Sequence, residues 1–416
     1  MVIMKILLVN KFLYPRGGAE TYLIKLGAHL TERGHEVQYF GMSHPKNTVG
    51  NAWNIETAPM DFHDGSSMTE KLSYPFKIIR SKEANQKMRT LLHAFSPDVV
   101  HVNNFNYQLT PSILEAAEAY RTEKNSQMRI LYTAHDSQLV CPGHLLYNAE
   151  QHTVCEACLG GHYGNCIKNR CIHGSVLRSA LGTYEARYWK RRNIYRVFDA
   201  ILCPSAFMKR ILDTDPLLRG RTVVLRNFVE RRQPPVSNSI QIQGEPLPSS
   251  YVLYFGRYAE EKGIRTLIRV CTSCKDIPFV FAGDGPLAPL LSGIPNVRNV
   301  GFLDGEALRR VIAGAAFTIC PSECNENCPF SVMESIMAGV PVLGAMRGGI
   351  PELIEEGKTG WLFEAGNAAA LQARIRQLWD SGIPDTYHKA CKAAQFDDLS
   401  LYGEKLLAIY KGIKTK

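Results

Sequence analysis

Two carboxylates stand eight positions apart in "SECNENCPFSVMESIMAG": Glu326 in a polar, loop-like stretch and Glu334 inside an apolar helical run. A carboxylate accepts two hydroxyl hydrogen bonds at once, so the pair suits polyols, a ribose for one and a hexose for the other. Taken alone, two solvated acids would read the same way. Neither spacing nor context matches the acid and nucleophile of a hydrolase. A basic pair precedes them. In "YVLYFGRYAEEKGIRTLI" an apolar run ends at Gly256-Arg257, and Lys262-Gly263 come just before a helical pattern. The fork of Arg257, the point charge of Lys262 and a helix N-terminus would together hold a diphosphate. The alternative is a surface turn with two basic side chains. In "FAGDGP" (281–286), Asp284 reads as a turn residue.

A third cluster is made of cysteines. "CPGHLLYNAEQHTVCEACLGGHYGNCIKNRCIH" holds Cys141, Cys155, Cys158, Cys166 and Cys171. Cys155-x2-Cys158 has the spacing of a metal knuckle, and Cys166 and Cys171 offer the other two thiolates of a structural zinc site. A loop this long and poor in apolar residues is hard to order without a staple. An iron–sulfur cluster, or reduced thiols in a packed insertion, stay open from the spacing alone.

The elements that must position these residues alternate regularly. Apolar runs at "KILLVN", "HEVQYF", "PDVVHVN", "RILYTAHD", "FDAILCPS" and "TVVLRN" are separated by turns and helical stretches. After "ERRQPPVSNSIQIQGEPLPSS" the rhythm restarts with "YVLYFGR", "PFVFAGDG", "VRNVGFL", "FTICPS", "VPVLGA" and "TGWLFE". Short buried strands alternating with helices predict parallel, doubly wound α/β sheets. A chain of 416 residues is too long for one core. The expected division is an N-terminal domain over 1–228 with an insertion at 141–173, a linker over 229–250, a second domain over 251–397, and a helical tail over 398–416 that packs back on the first. Such sheets bind ligands outside the carboxyl ends of their strands.

Charge is uneven. Residues 1–230 hold 28 Lys/Arg against 20 Asp/Glu, while residues 231–416 hold 20 against 19. The basic half points to an anionic partner, or to a generally basic surface. "EARYWKRRNIYRVFD" (185–199) mixes basic and aromatic residues at helical spacing, which suits an anionic membrane surface or a helix with a solvated basic face. Nucleic acid is not expected as a partner, since neither an aromatic single-strand platform nor zinc-finger spacing is present. No apolar run is long enough to span a bilayer, and the start lacks the architecture of a signal peptide. The expected location is cytoplasmic, at or near the inner membrane face.

Together the ordered motifs resemble the retaining GT-B glycosyltransferases that use nucleotide-sugar donors (glycosyl transferases group 1, family 4). Glu326 and Glu334 match that family's Glu-x7-Glu signature. "GRYAEEKG", "GDGP", "GGIPELIEEGKTGWLF", "YPRGGAETYLIKLGAHLTERGHEV", "HVNNF" and "YTAHD" follow in its usual order. The resemblance implies two Rossmann-like domains facing each other across a cleft. It implies transfer of a sugar, with retention, to a hydroxyl of a glycan or lipid-linked glycan. Arg257 and Lys262 would hold the donor diphosphate, and Glu334 the ribose. Glu326 would bind the transferred sugar with help from Asn327, Phe330 and Ser331. Gly17 and Gly18 would approach the diphosphate or acceptor, and His135 would lie beside the reacting sugar. No metal or other cofactor is implied at the reaction centre. Pro329 departs from the family, which often has glycine there, and offers no N–H to the sugar. The alternatives are a nucleotide-sugar epimerase and a non-catalytic sugar-nucleotide sensor or subunit.

Overall fold

The computed structural model describes residues 2–60, 78–148, 150–230, 241–242 and 244–413. They divide into two compact units, one of Met1–Leu146, Glu156–Asn227 and Leu399–Lys416, the other of Tyr147–Cys155 and Phe228–Asp398. Of the linker expected over 229–250, residues 231–240 and 243 lie outside the described residues.

In the first unit β1 (Lys5–Val9) leads through the glycine loop into α1 (Gly18–Glu32) and on to β2 (Glu36–Phe40). Then come α2 (Lys82–Phe95), β3 (Val99–Val102), α3 (Ser112–Glu123) and β4 (Arg129–Thr133). The cysteine-rich insertion carries a small antiparallel hairpin of β5 (Tyr147–Asn148) and β6 (Thr153–Val154), which groups with the second unit, and the short α4 (Gly164–Lys168). Helix α5 (Val176–Arg191), β7 (Ala200–Cys203), α6 (Ala206–Leu212) and β8 (Thr222–Val224) follow. The strands pair in parallel in the order β2-β1-β3-β4-β7-β8. Every residue of β3 and β7 is buried, as expected of a parallel sheet covered on both faces.

The second unit opens with the hairpin β9 (Gln241–Ile242) and β10 (Glu245–Pro246). Its main sheet is built from β11 (Val252–Phe255), β12 (Phe279–Ala282), β13 (Val297–Gly301), β14 (Phe317–Cys320), β15 (Val342–Ala345) and β16 (Gly360–Phe363). Around it lie α7 (Ile264–Ser273), α8 (Gly305–Ala313), α9 (Phe330–Met337), α10 (Ala368–Ser381) and α11 (Asp385–Ala393). The parallel order is β13-β12-β11-β14-β15-β16. The chain lays strands to one side of β11 and then crosses to the other. The loops after β11 and β14 therefore diverge at a topological switch point, where such sheets bind ligands. The first unit has the same feature between β1 and β3.

The expected helical spacing over 185–199 is interrupted. Helix α5 stops at Arg191, Asn193 takes a left-handed φ of 52°, and a separate turn covers Ile194–Val197. The break lets both Trp189 and Phe198 reach full burial, with the Trp189 indole donating to the Ile79 carbonyl at 2.9 Å.

The last helix, α12 (Leu399–Tyr410), belongs to the first unit and is tied there by a buried polar chain. The Tyr402 and Tyr22 hydroxyls are 2.6 Å apart. His101 places Nε2 at 2.7 Å from Thr133 Oγ1 and Nδ1 at 2.7 Å from the Tyr410 hydroxyl. Arg129 donates to the Ile409 carbonyl at 2.8 Å. His101 is fully buried. Burial, and secondarily the neighbouring His135, pull its pKa down to about 3. In the unfolded chain this imidazole protonates near its ordinary value of about 6.5. Between those values the unfolded state binds the extra proton, so stability falls as pH drops from about 6.5 towards 3. The slope expected from this group is about 1.4 kcal/mol per pH unit. Urea denaturation of wild type and His101→Gln at several pH values checks this, because the variant should lose that slope whatever its absolute stability.

Candidate functional site

In the second unit β11 ends at Gly256, and Arg257 follows with its side chain 64% exposed and paired to Glu261. A helical turn over Glu260–Lys262 then passes into α7 through Gly263. Gly263 has φ of +72°, and a Cβ there would come 2.1 Å from the Pro321 carbonyl oxygen. Only glycine fits this conformation and this approach. The close approach brings the loop after β11 against the loop after β14. The amides of Glu323 and Cys324 both donate to the Glu261 carbonyl, at 3.0 and 3.1 Å. Across this junction Lys262 Nζ meets Glu326 Oε1 at 2.5 Å, and Ser322 Oγ donates to the same oxygen at 2.6 Å.

The pair is largely shielded from water, with side-chain exposures of 28% for Lys262 and 13% for Glu326. Burial acts to push the Glu326 carboxyl up. It is outweighed by the Lys262 charge and hydrogen bond, by Ser322 and by Arg257, so the carboxyl is held below its ordinary range. For Lys262 burial acts downward, and the Glu326 charge leads the effects that raise it above its usual value. Both groups are ionised at neutral pH. Among the described residues Glu326 Oε2 accepts no protein hydrogen bond, which leaves one carboxylate oxygen for a ligand.

The backbone of Glu326 is fixed by a third loop. Gly349 N donates to the Glu326 carbonyl at 2.7 Å, and a Cβ on Gly348 would come 2.0 Å from the same oxygen. Beyond it α9 starts after Pro329, whose φ of −67° suits a helix entry, with no side-chain cap over its first turn. The amides of Phe330 and Ser331 therefore form the open, partly positive end of the helix. Val332, Met333, Ser335 and Ile336 bury their side chains, and Ser335 Oγ is pinned 2.7 Å from Thr318 Oγ1 of β14. Glu334 is half-buried rather than sunk in the core, as is Asn327 in the preceding loop. Asp284 keeps to its turn, accepting from the Gly285 amide at 2.7 Å.

The first unit gathers asparagines and histidines, with Lys11 and Asp136, at its own switch point. Asn10, fully buried after β1, accepts from the Asn104 amide at 2.9 Å and donates to the Phe12 carbonyl at 2.7 Å. Lys11 donates to Asn106 Oδ1 at 2.6 Å, and Asn106 Nδ2 lies 2.6 Å from His144 Nδ1. Burial lowers the Lys11 pKa against the opposing charges of Asp136 and Glu20. Burial raises Asp136 to about 6, opposed by the Gln138 amide and Lys11. His135 is kept neutral, its pKa drawn down to about 3 by burial. Gly17 and Gly18 are exposed at the start of α1, whose N-cap Gly17 makes no side-chain bond.

The structure thus joins Arg257, Lys262, Glu326, Asn327, Phe330, Ser331 and Glu334 at one edge of the second unit. Gly17, Gly18 and His135 lie at the corresponding edge of the first. Asn10, Lys11, Asn103, Asn106, Asp136 and Ser322 were not singled out by sequence reasoning, although several follow directly after an apolar run; His144 was expected only as a spare metal ligand, and Gly348 as part of a glycine loop beside the site.

The expected zinc ligands do not converge as a set. Among the described residues no three His, Cys, Asp or Glu side chains form a group that could hold a metal ion. Cys158 and Cys166 pack with Tyr163 in a small apolar cluster. A hydrogen bond with Cys171 leads the effects that hold the Cys166 thiol below its usual value, against burial.

Comparison with known proteins fits this architecture. Residues 16–233 match the model of Glycosyltransferase Family 4, and residues 249–381 that of Glycosyl transferases group 1. The sulfoquinovosyl transferase SQD2 of Arabidopsis thaliana is 35% identical over 142 residues, 32% of this chain and 27% of that protein. The alpha-maltose-1-phosphate synthase of Mycolicibacterium smegmatis is 26% identical over 230 residues, 49% of this chain and 59% of that protein. A putative colanic acid biosynthesis glycosyltransferase, WcaL of Salmonella typhimurium, is 28% identical over 156 residues, 34% and 38% of the two chains. The chain spans between 27% and 59% of the length of these relatives. HepE of Anabaena, solved with UDP-glucose, superposes with a TM-score of 0.64 at 16% identity, covering 99% of this chain and 100% of that one. Sucrose-phosphate synthase of Thermosynechococcus elongatus does so with 0.67 at 16%, covering 98% of each. At this identity the likeness shows the fold, which is GT-B.

The Lys262–Glu326 pair gives a stability test. Lys262→Met strands a shielded carboxylate and should cost on the order of 3 kcal/mol in urea denaturation. Adding Glu326→Gln removes the stranded charge and should restore part of that loss. Equal destabilisation of single and double variants would contradict an electrostatic origin.

Proposed function

The chain belongs to Glycosyltransferase Family 4, and from that premise we propose that it transfers a sugar, with retention, from a nucleotide-sugar donor to a hydroxyl of a glycan or lipid-linked glycan. The supporting observation is the ion pair of Lys262 and Glu326 at the β11/β14 switch point, beside exposed Arg257 and the uncapped start of α9. Phosphate oxygens would take the Arg257 fork and the two Lys262 N–H bonds that the described residues leave unused. These cations would carry the growing negative charge of the leaving diphosphate, the role a metal plays elsewhere. Glu326 would accept a hydroxyl of the transferred sugar through Oε2, its other oxygen being committed. With no protein nucleophile assigned, retention would proceed by departure and attack on the same face of the sugar. Glu334 would hold the ribose. In the first unit His135, Asp136, Lys11 and Asn106 are assigned to the reacting sugar and the acceptor.

UDP-sugars are the first donors to try, because HepE of Anabaena was solved with UDP and UDP-glucose. Thermal shift and nucleotide release should single out one donor, and Arg257→Ala/Lys262→Ala should abolish both effects. Glu334→Ala should weaken nucleotide binding roughly ten-fold or more, the worth of a hydrogen bond to a charged group. Glu326→Ala should lower turnover more than nucleotide affinity. Donor binding without release, even with acceptors supplied, would instead favour a sugar-nucleotide sensor or subunit.

The membrane reading rests on α5. Leu177 is 80% and Tyr184 58% exposed. They share one helix face with half-buried Leu181 and Tyr188, flanked by the exposed Arg178, Arg187 and Arg191. An apolar stripe edged by arginines is complementary to an anionic lipid surface. Among the described residues no helix is long and apolar enough to cross a bilayer. The protein should co-sediment with vesicles containing phosphatidylglycerol and not with pure phosphatidylcholine. Leu177→Glu/Tyr184→Glu should release it; equal binding by that variant would sink the assignment.

A further inference from the structure

Two histidines of the first unit are neutral and close together, yet they are bonded differently. His101 has both ring nitrogens occupied, by Thr133 and Tyr410. His135 has one. Its Nε2 lies 2.8 Å from Asn103 Oδ1, and among the described residues no protein group bonds Nδ1. The Tyr22 ring meets the imidazole edge-on, with centroids 5.0 Å apart, and limits how it can turn.

The orientation of Asn103 decides which nitrogen of His135 carries the proton. Asn103 is fully buried immediately after β3, with its backbone amide donating to the Val9 carbonyl at 2.8 Å. Its side-chain Nδ2 faces two carbonyl oxygens, those of Val9 at 3.4 Å and His101 at 3.5 Å. Carbonyls only accept, so the NH2 group belongs on that side and Oδ1 on the side of His135. A flipped carboxamide would set Oδ1 against two carbonyls. Oδ1 in turn only accepts, so Nε2 must donate. A neutral imidazole has one N–H, which leaves Nδ1 as a bare lone pair.

We propose that Asn103 is a positioning residue that locks His135 as the Nε2–H tautomer, so that Nδ1 is presented as a hydrogen-bond acceptor to a hydroxyl of the sugar or acceptor. The functional half of this statement rests on the glycosyltransferase reading; the tautomer does not. Asn103 touches no reacting atom. It acts by fixing the ring plane and by excluding the tautomer that could only donate from Nδ1. The arrangement also bears on chemistry: a ring with its single proton held by a buried amide can receive a hydroxyl hydrogen bond but has no proton to deliver from Nδ1.

The full chain labelled with 15N-histidine tests this by long-range 1H–15N correlation. Wild type should show His135 as the Nε2–H tautomer, with an imidazole N–H resonance slowed in its exchange by the Asn103 bond. Asn103→Ala should lose that resonance to exchange with water, and Asn103→Asp, which keeps an acceptor oxygen opposite Nε2, should retain it. In the transfer assay Asn103→Ala should lower kcat about ten- to a hundred-fold, the usual effect of a misplaced reacting contact, with donor affinity unchanged. An Nδ1–H tautomer in wild type would overturn the proposal without any variant being folded. An unaltered N–H resonance or kcat in Asn103→Ala would overturn the positioning role. Should no donor be turned over, the function assigned above fails, while the resonance still decides the tautomer.

Discussion

A carboxylate and an ammonium withdrawn from water lose several kcal/mol of hydration each, and their attraction repays this only at contact and with the remaining valences satisfied. The Lys262–Glu326 pair imposes that condition on the end of the second sheet. To meet it, the loops after β11 and β14 must touch, which accounts for Gly263 against the Pro321 carbonyl and for two amides on the Glu261 carbonyl. The Glu326 backbone must also be immobile, which accounts for Gly348 and Gly349 beneath it. Three loops from separate parts of the sheet are thus held by one electrostatic requirement. Hydrophobic burial forms the sheet but does not demand this junction. A structural pair could also be replaced by apolar side chains at little cost. Retaining a charged pair with an unclaimed carboxylate oxygen at a switch point therefore speaks for ligand chemistry.

The first unit solves the same topological problem largely with asparagine and histidine side chains. Asn10 and Asn103 follow adjacent strands at its switch point, and both are fully buried with their amides spent on backbone. His135 is held neutral, and Asp136 is pushed up to about 6 by burial. The difference between the two edges is physically meaningful. Exposed and paired cations suit phosphate oxygens. Neutral, directional donors and acceptors suit hydroxyls. The division of labour proposed for donor and acceptor follows from this contrast rather than from either edge alone.

Most of the architecture was legible because the central strands of a parallel sheet must be continuously apolar and recur between helical stretches, and the twelve runs in that rhythm, including the more polar edge strands β2 and β13, are the twelve strands of the two parallel sheets. Glu326, Glu334, Arg257 and Lys262 were legible because strand, turn and helix signals lie close to them in the chain. Asn103 was not, because its meaning depends on β1 and β3 being neighbours, and they are some ninety residues apart in sequence. Nothing local to "HVNNF" distinguishes an asparagine that orients a histidine from one in an ordinary turn. The break in α5 was hidden for a related reason: periodicity carries on through Asn193, and only the joint burial of Trp189 and Phe198 requires the left-handed residue there. The cysteines show the limit of spacing. Cys155-x2-Cys158 has a ligand's separation, yet among the described residues no three His, Cys, Asp or Glu side chains form a group that could hold a metal ion.

The histidines carry the same lesson one step further. His101 and His135 are drawn to the same low pKa, chiefly by burial, so neither charge state nor basicity separates a structural imidazole from a functional one. What separates them is valence. His101 has spent both ring nitrogens joining β4 to α12, and nothing is left for a ligand. His135 has spent one, on an amide that is itself fully committed, and among the described residues nothing takes the other. The same count applies to Glu326, where Oε1 is doubly used and Oε2 is not. An acceptor left open by a rigid frame is available to the hydroxyl of a ligand. Each occurs at the carboxyl edge of its own sheet, where topology already places a ligand, and that is the physical reason to read each as a ligand contact.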